Sequence, residues 1–472
     1  MELSEFNKYA HEIVDWITGY YRHIEDFAVK SPVSPGEIIR NLPEAPPSAG
    51  EPMEDILADF RQKILPGMTH WQSPKFFAYF PANSSYPSIL AEFLTASLGA
   101  QCMSWETSPA ATELEEQIMK WLIGMIGLPS DWSGVIQDTA STGTLAALIC
   151  ARERATGFLV NEEGFPPNRK FRIYCSSEAH SSIEKGAKIA GIGKQNVVRI
   201  PVDANLAMVP GELEKQIQSD ISQGYFPLCI VAAIGTTGTT AIDPLLPIAK
   251  ISEQYKTWLH IDAAFAGTAL VLPEYRWMIE GIELADSFVF NPHKWMFTNF
   301  DCSAYFVKDK ETLVRTFEIF PEYLKTAAGN RVNNYRDWGI PLGRRFRALK
   351  LWFVLRSFGV EGIQERIRKH IQLAVWFEMQ AAQHPDFELM APRSMNVVCF
   401  RYKPSPVTDQ DQLNRLNMEL KESLNATGNI YLSHTKVHDC VTLRMVVAQT
   451  HVEQRHVEQA WNQIINIAAT LR

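Results

Sequence analysis

A lysine follows a short apolar run in the second half of the sequence. In "DSFVFNPHKWMFTNFDCS", residues 286–303, the four residues from Ser287 to Phe290 have the pattern of a buried strand. Asn291-Pro292 ends this strand, because proline has no amide donor. Lys294 is therefore expected on the loop that leaves the strand. Most lysines keep their ammonium group in water, but a desolvated lysine at a strand's carboxyl end can act as an amine nucleophile.

A turn of small hydroxyl residues follows an earlier apolar run. The stretch "VIQDTASTGTLAALICARERA", residues 135–155, is typical of a strand, a turn and a helix. Its backbone N–H groups, including those of Ala140 and Ser141, would lie at the helix N-terminus, where a phosphate group binds well. Ordinary capping by serine or threonine gives the same pattern.

Two more strand-to-loop transitions carry polar residues. "FRIYCSSEAHSSIEKGAKIAGIG" places His180 at the end of a loop, and "AAIGTTGTTAID" places Thr236 and Thr237 after another strand. A lone histidine is more often structural than catalytic. Because the carboxyl ends of parallel strands meet at one edge of a sheet, all of these residues are expected at the same edge as Lys294.

Asp262 ends the strand in "TWLHIDAAFAG", and the small residues Ala263 and Ala264 follow it. A carboxylate there could be an acid, a metal ligand or the partner of a ring nitrogen. Strand alternation puts His260 on the same face, so a metal site with His293 is an alternative. The interpretation as the partner of a ring nitrogen is favoured, because no further metal ligand has suitable spacing and because a metal site would give Lys294 no chemical role. No metal is expected.

The combination of a phosphate site, a histidine, an aspartate and a lysine suits a flat, phosphorylated heterocycle that carries an aldehyde. The lysine would form a Schiff base, and the aspartate would pair with a pyridinium nitrogen. The sequence therefore predicts pyridoxal 5′-phosphate (PLP) as the cofactor. A nucleotide-dependent oxidoreductase is the competing class, and the lack of a GxGxxG motif in the first strand-helix unit weighs against it.

Length and composition limit the other possibilities. The chain has 472 residues, of which 46% are hydrophobic and 21% charged, as in an ordinary globular protein. The net charge of −8 argues against nucleic acid or an anionic membrane as a partner. The seven cysteines are scattered without a CxxC pair, and no signal peptide or membrane-spanning run is seen, so a cytoplasmic protein is expected.

Three regions are predicted along the chain. Residues 1–85 contain an amphipathic aromatic helix and a proline-rich stretch, which favours an arm that packs on a partner subunit, although packing on the same chain would leave the same signature. Residues 86–370 alternate helices and strands, which indicates a mainly parallel sheet with helices on both faces. Residues 371–472 indicate a smaller α+β domain. The fold class is therefore α/β.

Several longer stretches resemble the aromatic L-amino-acid decarboxylases, which are PLP-dependent group II decarboxylases of aspartate-aminotransferase-like (type I) fold. They include "KFFAYFPANSSYPSILAE", "SWETSPAATELE", "LHIDAAFAG", "ADSFVFNPHKWMFTNFDCSA" and "IPLGRRFRALKLWFVLRSFGV". The resemblance covers nearly the whole chain. It implies decarboxylation of aromatic amino acids through a lysine Schiff base and a quinonoid intermediate, in a homodimer with active sites at the interface.

The resemblance also implies roles for individual residues. Lys294 would bind the cofactor, Asp262 would pair with its ring nitrogen, His180 would stack on the ring, and Tyr323 would protonate the substrate's α-carbon. The other residues expected near the cofactor are Ala140, Ser141, Thr237, Ala264, Asn291 and His293.

The substrate pocket implied by the resemblance is apolar and aromatic. Its residues are Trp71, Tyr79, Phe80, Pro81, Gln101, Met103 and Gly343. No arginine is evident for an acidic side chain, so aromatic substrates are expected, with tryptophan and phenylalanine ahead of tyrosine. Gln101 and Met103 stand at positions where animal members of the family tend to carry more apolar or aromatic residues. The alternatives are an aromatic aldehyde synthase, or a decarboxylase of histidine, glutamate or cysteine sulfinate.

Overall fold

The computed structural model describes residues 1–166, 169–319 and 331–471. The chain forms two compact units. We call Met1–Pro81, Leu373–Met390 and Val398–Arg472 the terminal unit, and Ala82–Gln372 with Ala391–Val397 the central unit. The N-terminal segment thus shares a unit with C-terminal residues, while its packing on a partner subunit stays a prediction.

The N-terminal segment divides its aromatic face between the interior and the surface. It contains helices α1 (Leu3–Arg22), α2 (Glu37–Arg40) and α3 (Met53–Asp59). On α1, Tyr9 is buried, and the Trp16 and Tyr20 rings stack at 5.5 Å. Phe6 and Ile13 on the same helix remain exposed. A backbone hydrogen bond from Val29 N to Gly428 O ties the segment to the rest of its unit.

The central unit contains a seven-stranded sheet of order β1-β7-β6-β5-β4-β2-β3. Its strands are β1 (Ser133–Gln137), β2 (Lys170–Ser176), β3 (Val197–Ile200), β4 (Tyr225–Ala233), β5 (Trp258–Asp262), β6 (Ser287–Phe290) and β7 (Ser303–Val307). Only β7 runs antiparallel to its neighbours. The predicted mainly parallel sheet is confirmed. Strands β3 and β7 were not predicted from the sequence.

In the sequence, helices precede the first of these strands, follow the last and separate most of the others. They are α4 (Tyr86–Leu98), α5 (Pro109–Ile126), α6 (Ala140–Thr156), α7 (Leu159–Glu163), α8 (Ser182–Ile189), α9 (Pro210–Ser222), α10 (Leu245–Tyr255), α11 (Pro292–Trp295), α12 (Lys310–Phe317) and α13 (Arg347–Gln383). Every residue of β5, β6 and β7 is buried. Burial of both alternating sets of side chains requires that both faces of these strands be covered.

The C-terminal part of the terminal unit has a four-stranded sheet of order β10-β11-β9-β8. Its elements are β8 (Phe387–Leu389), β9 (Val397–Tyr402), α14 (Gln410–Ala426), β10 (Ser433–Val437), β11 (Cys440–Val446) and α15 (Gln454–Thr470). The predicted smaller α+β domain is confirmed. None of the helices in the described ranges is both long and apolar enough to span a membrane.

Candidate active site

Five parallel strands bring the predicted site residues to one edge of the central sheet. Strands β1, β2, β4, β5 and β6 point in the same direction, so their carboxyl ends share that edge. The ends of these strands and the segments after them carry, in order, Ala140 with Ser141, His180, Thr237, Asp262, and Asn291 to Lys294.

Lys294 is positioned by a single helical turn directly after β6. Pro292 begins this turn, α11, and the Lys294 N–H donates to Asn291 O at 2.9 Å. Burial lowers the pKa of the Lys294 ammonium, while the charge of Asp262 raises it. The net lowering increases the fraction of neutral amine, which is the form that attacks an aldehyde.

Asp262 is the last residue of β5 and is buried. Its Oδ1 accepts from the Ala264 N–H at 3.1 Å, which fixes the carboxylate where the strand ends. Its charge acts on both Lys294 and His180. A carboxylate in this setting can stabilise a positive charge nearby, such as a protonated ring nitrogen.

His260 does not form a metal site with Asp262. One ring nitrogen lies 3.3 Å from Thr144 Oγ1, and the other lies 2.9 Å from Ser287 Oγ. Burial lowers the pKa of His260 to about 4, so the ring is neutral. Within the described ranges, no group of three histidine, cysteine or acidic side chains could hold a metal ion.

The start of α6 is a candidate anion site. Thr139 is its N-cap residue, and Ala140 and Ser141 are the first helical residues, whose N–H groups have no partner within the helix. The carboxylate of Asp138 accepts from the Thr139 N–H at 2.8 Å. Gly143 allows the close approach of α6 to β6, since a Cβ there would lie 2.9 Å from Val289 Cγ2.

Asn291 precedes the turn that holds Lys294, and His293 lies within that turn. Asn291 is buried, and its Oδ1 has no hydrogen-bond partner among the described residues. The His293 Nδ1 accepts from the Cys302 N–H at 2.8 Å, so a neutral His293 carries its proton on Nε2. Burial lowers the pKa of His293 to about 3, and the Lys294 charge adds to this effect.

Thr237 lies exposed on the loop between β4 and α10. Sequence reasoning missed Asp243, which closes this loop. Its two carboxylate oxygens accept from Met208 N and Ala233 N, both at 2.8 Å. Burial raises the pKa of Asp243 to about 6. The Asp-Pro pair directly after a threonine-rich turn is the sequence signal that could have drawn attention to this residue.

The terminal unit holds the aromatic residues predicted for the substrate pocket. The Trp71 ring lies 6.1 Å from the Tyr79 ring, and the Tyr79 hydroxyl lies 3.3 Å from that of Tyr431. Pro81 is buried. An arginine does lie near this group, contrary to the sequence analysis: the guanidinium of Arg444 is 5.4 Å from the Phe80 ring. A charged residue within the apolar run "VTLRMVV" was the signal for it.

Three further predicted pocket residues lie in the central unit. The Gln101 Oε1 accepts from the Arg344 N–H at 2.8 Å, and the Met103 carbonyl accepts from the Arg336 N–H at 2.9 Å. A Cβ on Gly343 would lie 3.2 Å from Gln101 Nε2, so these two positions are neighbours. The remaining predicted catalytic residue, Tyr323, lies outside the described residues.

Comparison with known proteins identifies the family. The sequence model of the "Pyridoxal-dependent decarboxylase conserved domain" matches residues 35–403. The chain belongs to the pyridoxal-dependent decarboxylase family. It is 43% identical to tyrosine decarboxylase 2 of Narcissus pseudonarcissus over 98% of this chain and 93% of that protein. It is 42% identical to phenylacetaldehyde synthase of Arabidopsis thaliana over 100% of this chain and 97% of that protein.

A solved decarboxylase shares the whole fold. The crystal structure of Oryza sativa TDC with PLP and tryptamine superposes with a TM-score of 0.97 and 33% identity, covering 100% of this chain and 99% of that one. The predicted family, the type I fold and PLP as the cofactor are therefore confirmed.

The site residues fit PLP. The Oδ1 of Asn291 has no partner among the described residues, and because the amide oxygen and nitrogen can exchange places by a flip, this side chain can donate to a phosphate. The amides at the start of α6 offer further donors for the same group. Lys294 supplies an amine of lowered pKa, and Asp262 supplies a buried carboxylate. These are the partners that the aldehyde and the pyridine nitrogen require.

Proposed function

We propose that the protein decarboxylates aromatic L-amino acids to arylalkylamines and carbon dioxide. The observation that carries the proposal is the partly buried lysine, of lowered pKa, within the field of Asp262 at the carboxyl edge of the sheet. The aromatic substrate class is supported by relatives that match nearly the whole chain and are named for tyrosine and phenylacetaldehyde.

Bound PLP would supply an aldehyde that captures amines and a ring that accepts electrons. Lys294 would hold the cofactor at its aldehyde carbon. Asp262 would keep a proton on the ring nitrogen, and His180 would cover one face of the ring. The phosphate would be bound at the sheet edge by Ala140, Ser141, Asn291 and His293, and Thr237 would lie near the cofactor.

The apolar and aromatic residues predicted for the substrate pocket, Trp71, Tyr79, Phe80 and Pro81, support an aromatic substrate, and tryptophan and phenylalanine are proposed ahead of tyrosine. Arg444 could in principle bind the side chain of an acidic substrate, so acidic amino acids must be compared with aromatic ones. It is buried, and its Nη1 already donates to Ser433 Oγ at 2.9 Å. Since this arginine is engaged within its own unit, glutamate and cysteine sulfinate are proposed to be poor substrates.

The test measures amine and carbon dioxide from each of the twenty amino acids with the PLP-loaded protein. We expect release from aromatic amino acids and a visible absorbance that borohydride abolishes. After borohydride reduction, Lys294→Ala should carry no PLP bonded covalently to the protein, and it should lose nearly all turnover, whereas Lys308→Ala, at an exposed position, should keep both. Near-normal turnover by Lys294→Ala would refute the assignment of the site.

An aromatic aldehyde synthase is the second candidate, because the similar Arabidopsis thaliana protein carries that name. Tyr323 in this sequence favours the amine product, since its hydroxyl would deliver the proton to the α-carbon. In Tyr323→Phe, we expect dioxygen and water to be consumed and aldehyde, carbon dioxide, ammonia and hydrogen peroxide to be released in equal amounts. If the variant forms amine at the wild-type rate without oxygen uptake, another group delivers the proton.

We also propose that the protein is a homodimer with shared active sites. Helix α4 exposes a stripe of apolar side chains at four-residue spacing, formed by Tyr86, Leu90, Leu94 and Leu98. Their exposed fractions lie between 47% and 64%, which is unusual for four aligned apolar residues in water. A second copy of the chain is the proposed cover for this stripe.

A further inference from the structure

His180 is hydrogen-bonded to a buried serine at the start of α8. The His180 Nδ1 accepts from the backbone N–H of Ser182 at 3.1 Å and lies 2.8 Å from Ser182 Oγ. Ser182 is 5% exposed, whereas its neighbour Ser181 is exposed and makes no capping hydrogen bond through its side chain. The ring therefore occupies a defined position at a helix N-terminus.

These two contacts determine which ring nitrogen carries the proton. A backbone N–H can only donate, so the lone pair of Nδ1 must face Ser182. The Ser182 hydroxyl then donates to the same nitrogen, and a neutral ring has its proton on Nε2. If Nδ1 were protonated, its N–H would point at the Ser182 backbone N–H, at the positive end of a helix dipole. Both contacts are unfavourable.

The charged groups that act on His180 are Asp262 and Lys294. Burial lowers the pKa of His180, the Asp262 charge raises it, and the Lys294 charge lowers it again. The neutral form is therefore favoured around neutral pH.

We propose that Ser182 is a positioning residue, which fixes His180 as a neutral imidazole with its proton on Nε2. The proposal rests on the proposed function, in which His180 covers the cofactor ring. It assigns the α8 serine a task in catalysis that is separate from its place in the helix.

The first experiment reads the tautomer without using activity. Protein labelled with ¹⁵N at histidine is examined by NMR with and without PLP, and the His180 signals are identified by their loss in His180→Gln. We expect an unprotonated Nδ1 and a protonated Nε2 in both forms. A protonated Nδ1 in the wild-type protein would overturn the proposal, and this result stands whether or not the protein proves to be an aromatic decarboxylase.

The second experiment follows kcat against pH. Ser182→Ala removes one donor to Nδ1, so this nitrogen is protonated more easily. The acidic limb of the kcat curve should therefore move to higher pH by about half a pH unit to one pH unit, as expected for a hydrogen bond of ordinary strength. Ser182→Thr keeps the hydroxyl and should restore the limb, and Ser181→Ala should not move it. A purely structural serine would lower the amount of active enzyme at every pH and leave the limb in place, which would also overturn the proposal.

Discussion

Two titratable residues on β5 are neighbours on one face of a strand and have different surroundings. His260 is fully buried and bonded through both ring nitrogens, so its role is to hold α6, β5 and β6 together. Asp262, at the strand's end, acts electrostatically on Lys294 and His180. The difference follows from depth, since only the last residue of the strand reaches the open edge of the sheet.

Substitution at these two positions should therefore separate stability from catalysis. Asp262→Ala should lower kcat by several orders of magnitude with little change in melting temperature, because it removes the partner proposed for the ring nitrogen. His260→Ala should lower the melting temperature and leave kcat per folded molecule within about tenfold, since it removes buried packing and hydrogen bonds. Equal losses of kcat in both variants would restore the metal-site interpretation.

Gly343 and Gln101 are expected to act together in substrate choice. In Gly343→Ser, the new Cβ would lie 3.2 Å from Gln101 Nε2, so the glutamine must shift slightly while a hydroxyl is added. We expect kcat/KM for tryptophan to fall by about tenfold more than for tyrosine, because a phenol can bond to that hydroxyl and an indole ring needs the space. Gln101→Ala should reduce this effect. An unchanged ratio of the two efficiencies would remove Gly343 from the specificity argument.

Among individual residues, the sequence indicated the chemically distinctive ones but not the charged residues that are buried elsewhere in the fold. Lys294 and Asp262 were recognised because charged groups at strand ends are unusual. Arg444 was missed because it lies within a buried strand and approaches Phe80 only after folding, across hundreds of residues of chain. Asp243 was missed because its partners Met208 and Ala233 lie 35 and 10 residues away in the sequence and meet it only in the folded chain.

At the scale of elements, the contact between α6 and the sheet decides where the phosphate-binding amides lie. The helix approaches the sheet closely at Gly143, since a Cβ there would lie 2.9 Å from Val289 Cγ2 and 3.2 Å from Tyr305 Cδ2. Neither side chain can move freely, because both are fully buried in the core. A helix that moves outward here carries Ala140 and Ser141 with it.

Gly143→Ala should therefore weaken PLP binding as well as folding. We expect a loss of roughly 1–3 kcal/mol in stability from overpacking, together with a higher dissociation constant for PLP. Gly124→Ala on α5 is the matched control, because nothing lies within 4 Å of the Cβ it adds, and it should stabilise the helix slightly. Thermal melting with and without PLP distinguishes the two variants. Unchanged PLP affinity in Gly143→Ala would contradict this account of α6.

The parallel strands could be predicted because each is an apolar run bounded by turn residues. Strand β7 was missed because "SAYFV" follows the lysine loop closely and runs antiparallel, which the alternation of helices and strands does not indicate. Strand β10 was missed because its sequence "SHTKV" is mostly polar, and three of its five residues are not buried. Its pairing with β11, rather than its composition, makes it a strand.

At the scale of the whole molecule, buried histidines make the stability depend on pH. The folded-state pKa is about 4 for His260 and about 3 for His293, both below the usual value of 6.5. At pH values between the folded-state pKa and 6.5, the unfolded chain binds more protons than the folded protein. The free energy of unfolding therefore falls as pH falls. Asp243 opposes this, because its raised pKa of about 6 gives stability that is present below 3.8 and lost as pH rises through 6.

The two histidines should outweigh the single aspartate, so the protein should lose stability on acidification. At about pH 5, each histidine is expected to cost on the order of 2 kcal/mol relative to neutral pH. In His260→Gln the loss between about pH 7.5 and about pH 5 should be smaller, even if this variant is less stable at both values. Melting temperatures across that range test it. A variant that loses as much as the wild type would show that His260 is not the titrating group.

The exposed apolar stripe of α4 gives the last prediction, which concerns assembly. If a second copy covers the stripe, a pair of charges in Leu90→Glu with Leu94→Glu should separate the subunits, because burying two carboxylates in an apolar interface is strongly unfavourable. Light scattering should then report a monomer. Decarboxylation should be lost as well, since the active sites are proposed to be shared.

Ile221→Glu is the control for this experiment. Ile221 is 44% exposed on α9, comparable with the 47% of Leu94, and it does not belong to the α4 stripe. Its charge should change neither mass nor activity, so a general effect of surface charge can be separated from a broken interface. A double variant that remains dimeric would show that α4 is not the interface. One that becomes a fully active monomer would show that each chain completes its own active site.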